Sequence, residues 1–389
     1  MRVPPVVEPG PPLSRDEVLR YSRHLLLPGL GEQGQRRLRN ARVCVVGAGG
    51  LGAPVLLYLA AAGVGRLGIV DHDEVELSNL QRQVVHGRAD VGRPKVESAR
   101  DAVLALDAGT EVVTHHLRLD QDSVDEVLGG YDLVIDGTDN FPTRYLVNDA
   151  CVRLGLPEVW GSIFRFDAQV AVFWGRPPAG VAPVQLRDLF PSPPPPGSVP
   201  SCAEGGVLGA LCGQVGSLMA TEAVKLLTGM GEPLLGRVMV LDALAARWTE
   251  VPLVGGVHGS PAPEVALGQL GGSDAEAGGV PALTATDLAA RLAARDRAED
   301  AFVLVDVREP AERGIVTVPG AVSVPLGRVL DGSALADLPQ DVPLVLHCRS
   351  GVRSEQAART LRAAGYDVSH LSGGVLAWVA DVDPSLPTY

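Results

Sequence analysis

Residues 42–54 read RVCVVGAGGLGAP, a β-branched run followed at once by Gly47, Gly49 and Gly52 in G-x-G-x-x-G spacing. Such a run needs burial in a sheet, and the glycines let backbone N–H groups approach a phosphate where a helix begins. The segment therefore predicts a strand–turn–helix unit of a doubly wound α/β fold. The next apolar run ends at Asp71, where an acid can meet ribose hydroxyls. Both features fit a dinucleotide such as NAD. They equally describe a tight β–α turn followed by a capped helix.

Further apolar runs predict strands at Arg66–Val70, Glu111–His115, Leu133–Ile135, Glu158–Trp160, Asp167–Phe173 and Val238–Leu241. The first of these alternate with helical stretches, which predicts a Rossmann-like unit over 14–252 with a mostly parallel sheet. Residues 253–281 are rich in Gly, Ala, Pro and Ser without periodicity and read as a flexible linker. Beyond it, 282–389 predicts a smaller α/β domain. Its helices are Thr284–Ala294, capped by Thr284, and Ser354–Ala364, and its strands are Val303–Val305 and Leu344–His347. The Pro-rich stretch Phe190–Gly206 can be neither helix nor central strand, and a long loop inside a compact domain is usually functional.

The chain carries 389 residues and a net charge of −13, which argues against a nucleic-acid partner. No stretch reads as a membrane span: the longest apolar candidate, Leu51–Val70, is broken by glycines, Pro54 and Arg66. The N-terminus MRVPPVVEPGPPLSRDE lacks an apolar signal region and reads as a loose tail, so a cytoplasmic address is expected. Cys44, Cys151, Cys202, Cys212 and Cys348 form no C-x-x-C pair, which excludes a readable disulfide framework or zinc knuckle.

The residues after Asp71 fit NAD poorly. DHDEVELSNLQRQ (Asp71–Gln83) crowds Asp73, Ser78, Asn79, Leu80, Gln81 and Arg82 into one connection, and GRPKVES places Lys95 at a helix start. Only two of the 33 basic residues are lysines, which draws notice to Lys95. Arg82 and Lys95 supply cations suited to a nucleoside triphosphate; both could equally sit on a solvated helix face. In LVIDGTDN, Asp139 just past a strand tip suits Mg²⁺, which takes one or two carboxylates plus substrate phosphates. It is equally placed to cap the next helix.

The segments RYSRHLLLPGLG, VVGAGGLGAPVLLYLAAAGVG, VDHDEVELSNLQRQ, GRPKVESA and DGTDNFPTRYLVND resemble the adenylyltransferases that activate ubiquitin-like sulfur carriers. These are the MoeB/ThiF group, related to the ubiquitin-activating enzymes. The resemblance implies that ATP contacts Gly47, Gly49, Gly50, Asp71, Asp73, Ser78, Asn79, Leu80, Gln81, Arg82, Lys95, Asp139 and Asn140. It implies that Asp139 holds Mg²⁺ and acts in catalysis with Arg82 and Lys95, and that Arg23 reaches the ATP of the other subunit in a homodimer. The reaction implied is adenylation of a carrier's C-terminal Gly-Gly. Most of that family binds a structural zinc through two C-x-x-C pairs. This chain has Gln185-Leu186-Arg187-Asp188 where the first should lie and RWTEVPLVGG where the second should, so no metal beyond Mg²⁺ is expected.

Cys348 lies in LVLHCRSGVRSEQ, after a strand and before a helix. Backbone N–H groups of Arg349, Ser350, Gly351, Val352 and Arg353, the helix dipole and the two arginine charges would all favour a thiolate or persulfide. A phosphatase loop is the rival, but it is one residue longer between its cysteine and arginine. With LVDVREPAE and VPGAVSVPL, the block resembles a rhodanese domain, which implies that Cys348 carries a persulfide loaded by thiosulfate or a cysteine desulfurase. Cys202 in PSCAEGG matches the cysteine thought to hold the activated carrier in such fusions; the alternative is a helix-start cysteine without a role. Cys44, Cys151 and Cys212 read as packing residues. Two other functions remain open: a ubiquitin-like conjugation activator, and a rhodanese attached to a decayed adenylation domain.

Overall fold

A computed structural model describes residues 3–194, 206–255 and 280–388. Cys202 and most of the expected linker lie outside the described residues. The chain divides into two compact units.

The first unit opens on a packed segment, which corrects the expected loose tail. Val3 and Val7 are buried, and the Val6 N–H donates to Leu226 O at 3.0 Å. Two valines are enough to seat an extended, Pro-rich strip that needs few partners of its own. Helices α1 (Arg15–Arg20), α2 (Ser22–Leu25) and α3 (Gly31–Asn40) follow. Ser14 and Glu17 form a capping box at the start of α1.

The chain then alternates as expected. It runs β1 (Arg42–Val46), α4 (Gly52–Ala61), β2 (Arg66–Val70), α5 (Lys95–Leu106), β3 (Glu111–His115), α6 (Val124–Leu128), β4 (Leu133–Asp136) and α7 (Phe141–Leu154). After these come β5 (Glu158–Phe164), β6 (Asp167–Phe173), α8 (Leu186–Leu189), α9 (Gly209–Thr228), β7 (Arg237–Asp242) and β8 (Arg247–Pro252). One sheet runs in the order β3-β2-β1-β4-β5-β6-β7-β8, parallel as far as β5 and antiparallel beyond it. The order reverses between β1 and β4, and a crevice at their carboxyl ends is where such sheets bind ligands. Four of β1's five residues are buried, and α4 buries Val55, Leu56 and Leu59 completely. Each such side chain contributes roughly 1.5–3 kcal/mol. Strand β8 was not foreseen. All of its residues are exposed; backbone pairing to β7 and the Arg237–Glu250 ion pair hold it, and no apolar face marks it in the sequence.

The second unit runs β9 (Ala282–Leu283), α10 (Ala285–Asp296), β10 (Val303–Asp306), α11 (Pro310–Arg313), β11 (Ala321–Ser323), α12 (Leu326–Leu330), β12 (Leu344–His347), α13 (Val352–Ala363), β13 (Val368–Leu371) and α14 (Gly374–Asp381). Its parallel sheet is ordered β11-β10-β12-β13-β9. Thr284 caps α10 as expected, its side chain accepting the Asp287 N–H at 3.1 Å. Among the described residues no helix is long and apolar enough to cross a membrane.

Candidate functional site

In the first unit, β1 delivers the chain into the glycine loop. Gly47 has φ +95°, in the left-handed region, and its N–H donates to Val70 O at 2.8 Å. A Cβ on Gly52 would stand 1.8 Å from the Gly47 carbonyl oxygen, so only glycine lets the helix start this close to the turn. A Cβ on Gly50 would stand 2.8 Å from Cys212 Sγ on α9. Gly49 begins the helical ladder, its carbonyl accepting the Ala53 N–H at 2.9 Å.

Asp71 sits at the tip of β2. Its Oδ2 accepts the Ala48 N–H at 2.8 Å, and its Oδ1 accepts the Asp73 N–H at 2.9 Å. Lys95 starts α5 with its stem buried and donates to Asp73 Oδ2 at 2.8 Å. Burial would raise the Asp73 carboxyl, but Lys95 outweighs it and holds the group below its usual range. Asn79 is buried in a one-turn helix, where its Oδ1 accepts the Glu76 N–H at 3.1 Å, while Arg82 donates to Ser78 O at 3.0 Å. Leu80 is half-buried and Gln81 exposed, and α9 begins against the Gln81 carbonyl.

At the end of β4, Asp136 is fully buried and Asp139 exposed. Asn140, not Asp139, caps α7, its Oδ1 accepting the Thr143 N–H at 3.0 Å. That removes the capping reading of Asp139, whose carboxylate has no hydrogen bond or ion pair among the described residues. A Cβ on Gly47 would lie 3.3 Å from the Gly137 carbonyl oxygen, so the two turns meet across the crevice. An exposed hard carboxylate beside a phosphate loop fits Mg²⁺. The exposed or half-exposed group Asp71, His72 and Asp73 is also compact enough for a metal, though Lys95 already pairs with Asp73.

Sequence reasoning missed His86, Arg144 and Glu158. His86 is buried, with Nε2 3.0 Å from Ala48 O and Nδ1 2.8 Å from Ser98 Oγ. A carbonyl only accepts, so Nε2 carries the proton; burial holds the imidazole neutral by lowering its pKa. It thus ties the glycine loop to α5. A single histidine in VVHGR carries no pattern that would reveal this contact.

Arg23 is exposed on α2 and makes no hydrogen bond or ion pair among the described residues.

Among the described residues, the segments where the resemblance would place zinc cysteines carry none. The described free cysteines are Cys44, Cys151, Cys212 and Cys348, none of them there. Instead, Arg187 donates to both Asp149 oxygens at 3.1 and 2.7 Å and lies 4.7 Å over the Tyr145 ring. Asn148 Oδ1 accepts the Leu186 N–H at 2.8 Å. A Cβ on Gly255 would stand 1.9 Å from the Pro183 carbonyl oxygen, so the end of the second segment packs against the residues just before the first. These residues do not fit zinc.

In the second unit, Cys348 follows β12 and is fully buried, while Ser350 and Val352 of the same loop are exposed. The Gly351 N–H donates to Sγ at 3.1 Å, and the Ser354 hydroxyl lies 3.6 Å from it. Helix α14 closes the loop from below: Val375 N–H donates to Cys348 O at 2.8 Å, and Leu376 N–H to Arg349 O at 3.1 Å. Arg353 differs from expectation. It is buried, and Glu312 Oε2 and Oε1 accept from it at 2.8 and 2.7 Å, which matches its charge. A buried guanidinium needs such a partner. His347 is fully buried beside Asp306, and burial pushes its pKa down to about 4.

Together these features define a nucleotide-binding α/β unit and a second α/β unit built around a protected thiol. The ThiF family matches residues 21–257, and the Rhodanese-like domain matches 284–381. The chain belongs to the ThiF family and carries a C-terminal rhodanese-like domain. It is 50% identical to the Mycobacterium tuberculosis protein named probable adenylyltransferase/sulfurtransferase MoeZ, spanning 100% of this chain and 99% of that one. A Drosophila yakuba adenylyltransferase and sulfurtransferase MOCS3 is 38% identical over 97% of this chain and 86% of its own. A Thermus thermophilus sulfur carrier protein adenylyltransferase is 53% identical over 61% of this chain and 88% of its own. E. coli MccB crystallised with ATP shares the fold, with TM-score 0.53 and 22% identity over 61% of this chain and 72% of that one.

Proposed function

We propose that this chain adenylates the C-terminal Gly-Gly of a small ubiquitin-like sulfur-carrier protein and then delivers sulfur from a Cys348 persulfide, giving the carrier thiocarboxylate. The carrying observation is Cys348 itself: a buried sulfur met by the Gly351 N–H, on a chain whose other unit is an adenylyltransferase-type fold. Such a thiol has a purpose when a carboxylate has first been activated.

In the first step the carrier carboxylate attacks the α-phosphorus of ATP, the bond to the pyrophosphate oxygen breaks, and acyl-adenylate and pyrophosphate form. Arg82 and Lys95 offset the charge developing on the phosphates, while the glycine loop and Asp71 orient the nucleotide. Asp139 would hold Mg²⁺, which neutralises phosphate charge when bound. In the second step the outer sulfur attacks the acyl carbon and AMP leaves, giving an acyl disulfide on Cys348. An external dithiol then breaks that S–S bond by thiol–disulfide exchange, releasing the carrier thiocarboxylate and restoring the Cys348 thiol as the dithiol is oxidised. Cys202 is assigned a covalent hold on the activated carrier, and thiosulfate or a desulfurase supplies the sulfur.

We place Arg23 in the partner subunit's crevice of a homodimer. Its exposure supports this, as does an apolar groove of about 400 Å³ lined by Pro54, Leu57, Tyr58, Val84 and Leu106. Arg20, on the helix before Arg23, donates to Leu106 O at the rim of that groove. No structural zinc enters this reading.

The test mixes the protein with ATP, Mg²⁺, thiosulfate, a dithiol reductant and a panel of Gly-Gly carriers, and looks by intact mass for a sulfur-for-oxygen gain. A gain abolished by Cys348→Ser is expected. No gain with any carrier overturns the proposal.

A further inference from the structure

We propose that Arg144 is a positioning residue, which clamps the Thr138 carbonyl beneath the crevice and so fixes where Asp139 presents its carboxylate to Mg·ATP. The inference rests on the reading of Asp139 as the Mg²⁺ ligand.

The turn from β4 to α7 is held one peptide at a time. The Gly137 N–H donates to Val46 O at 3.0 Å, tying the turn to β1. The Thr138 N–H donates to Asp136 Oδ1 at 2.9 Å. The Thr138 carbonyl accepts two bonds from Arg144, from Nε at 3.2 Å and Nη2 at 2.8 Å. Asn140 then begins α7 through its own cap. Between these fixed points, the Asp139 carboxylate is left without a protein partner among the described residues. Its backbone is pinned while its side chain is kept available, which is the arrangement a metal ligand requires.

The cost of burying Arg144 and its surroundings points the same way. Arg144 is 5% exposed, and Asp136 and Glu158 are 0% and 1% exposed. Neither Glu158 oxygen has a hydrogen-bond partner, and burial pushes that carboxyl well above its usual range. A buried cation and two buried carboxyls are expensive unless their geometry is used. Arg144 also lies 5.3 Å over the Phe141 ring and 5.6 Å over the Trp160 ring. Aromatic stacking and the planar fork hold the guanidinium in one orientation, which a lysine ammonium would not reproduce.

ATP binding to the full-length protein, measured by calorimetry in EDTA and in Mg²⁺, tests this without a carrier protein. Asp139→Asn should lose the Mg²⁺-dependent gain in affinity. Arg144→Gln and Arg144→Lys should keep the EDTA affinity within about twofold and lose about fivefold or more of the gain. The double variant Asp139→Asn/Arg144→Gln should lose no more than Asp139→Asn alone, because both act on one ligand.

Three outcomes overturn the proposal. The Arg144 variants keep the full gain, or the double variant's losses multiply, or both Arg144 variants lose ATP binding in EDTA as well. If wild type shows no gain, or Asp139→Asn keeps it, the Asp139 reading itself fails, and this proposal fails with it.

Discussion

Asp71 and Ala48 join the ends of neighbouring strands β2 and β1: the carboxylate at the tip of β2 accepts the Ala48 N–H at 2.8 Å. The acid therefore organises the glycine loop before any nucleotide arrives. Its other oxygen accepts the Asp73 N–H at 2.9 Å, so both oxygens are committed to backbone donors. Asp71→Asn keeps the shape but turns an amide N–H₂ towards one of those donors. An unmade bond of this kind costs about 1–3 kcal/mol. We expect ATP affinity to fall about tenfold or more, since about 1.4 kcal/mol is tenfold. Thiosulfate:cyanide sulfurtransferase activity should be unchanged.

Gly50 and Cys212 form a second contact that a double-mutant cycle can isolate. Gly50 does not occupy the left-handed region, so alanine is barred there by packing alone: its Cβ would meet Cys212 Sγ at 2.8 Å. Gly50→Ala should destabilise the protein by about 1–3 kcal/mol in urea unfolding. Cys212→Ala removes the sulfur and should restore most of that loss. A coupling energy near zero would show that the clash relaxes elsewhere.

Glu312 and Arg353 form a buried pair behind the Cys348 loop. Glu312→Ala removes both hydrogen bonds that the buried Arg353 makes to its carboxylate and should cost about 3–5 kcal/mol. The rhodanese unit should melt earlier, with sulfur transfer falling in parallel. Replacing both residues, as Glu312→Gln with Arg353→Met, should cost less than Glu312→Ala alone.

His347 gives the second unit a defined acid sensitivity. Its folded pKa, pushed down to about 4, lies below the ordinary histidine value of 6.5. Between those two values the unfolded chain binds more protons than the folded one. Stability is therefore complete above about pH 6.5 and falls as pH drops towards 4, by up to about 1.4 kcal/mol per unit. Urea midpoints for the second unit at pH 7 and pH 5 should differ, and His347→Gln should flatten the difference.

Arg187, Asp149 and Tyr145 hold the segment where relatives of the resembled group place zinc cysteines. Chelators should leave the melting temperature of the first unit unchanged. Arg187→Ala should lower its stability by about 1–2 kcal/mol, through lost ion pairing and stacking.

The parts of this architecture that repeat a local period could be read from the chain. The β1 run, Gly47, Gly52 and the Thr284 cap each satisfy a rule set by their own neighbours, and each appears where expected. Residues whose partners are distant could not be read. His86 serves the Ala48 carbonyl 38 positions away, and Arg353 pairs with Glu312 41 positions away; Arg144 reaches the Thr138 carbonyl only six positions back, but across a turn that no periodic pattern describes. Strand β8 escaped because backbone pairing leaves no mark on side-chain pattern. Asn140 shows the narrowest margin: one residue decided which side chain caps α7 and which stays available for chemistry.

Cys348 is fully buried, although Ser350 and Val352 of its own loop are exposed. A persulfide extends the chain by one S–S bond, about 2 Å. A thiol this deep is shielded from stray alkylation and peroxide, and the same burial sets a condition on the proposed persulfide: the loop must open each time Sγ takes on or gives up a sulfur atom. Shelter, in this arrangement, makes loop motion the gate of the reaction.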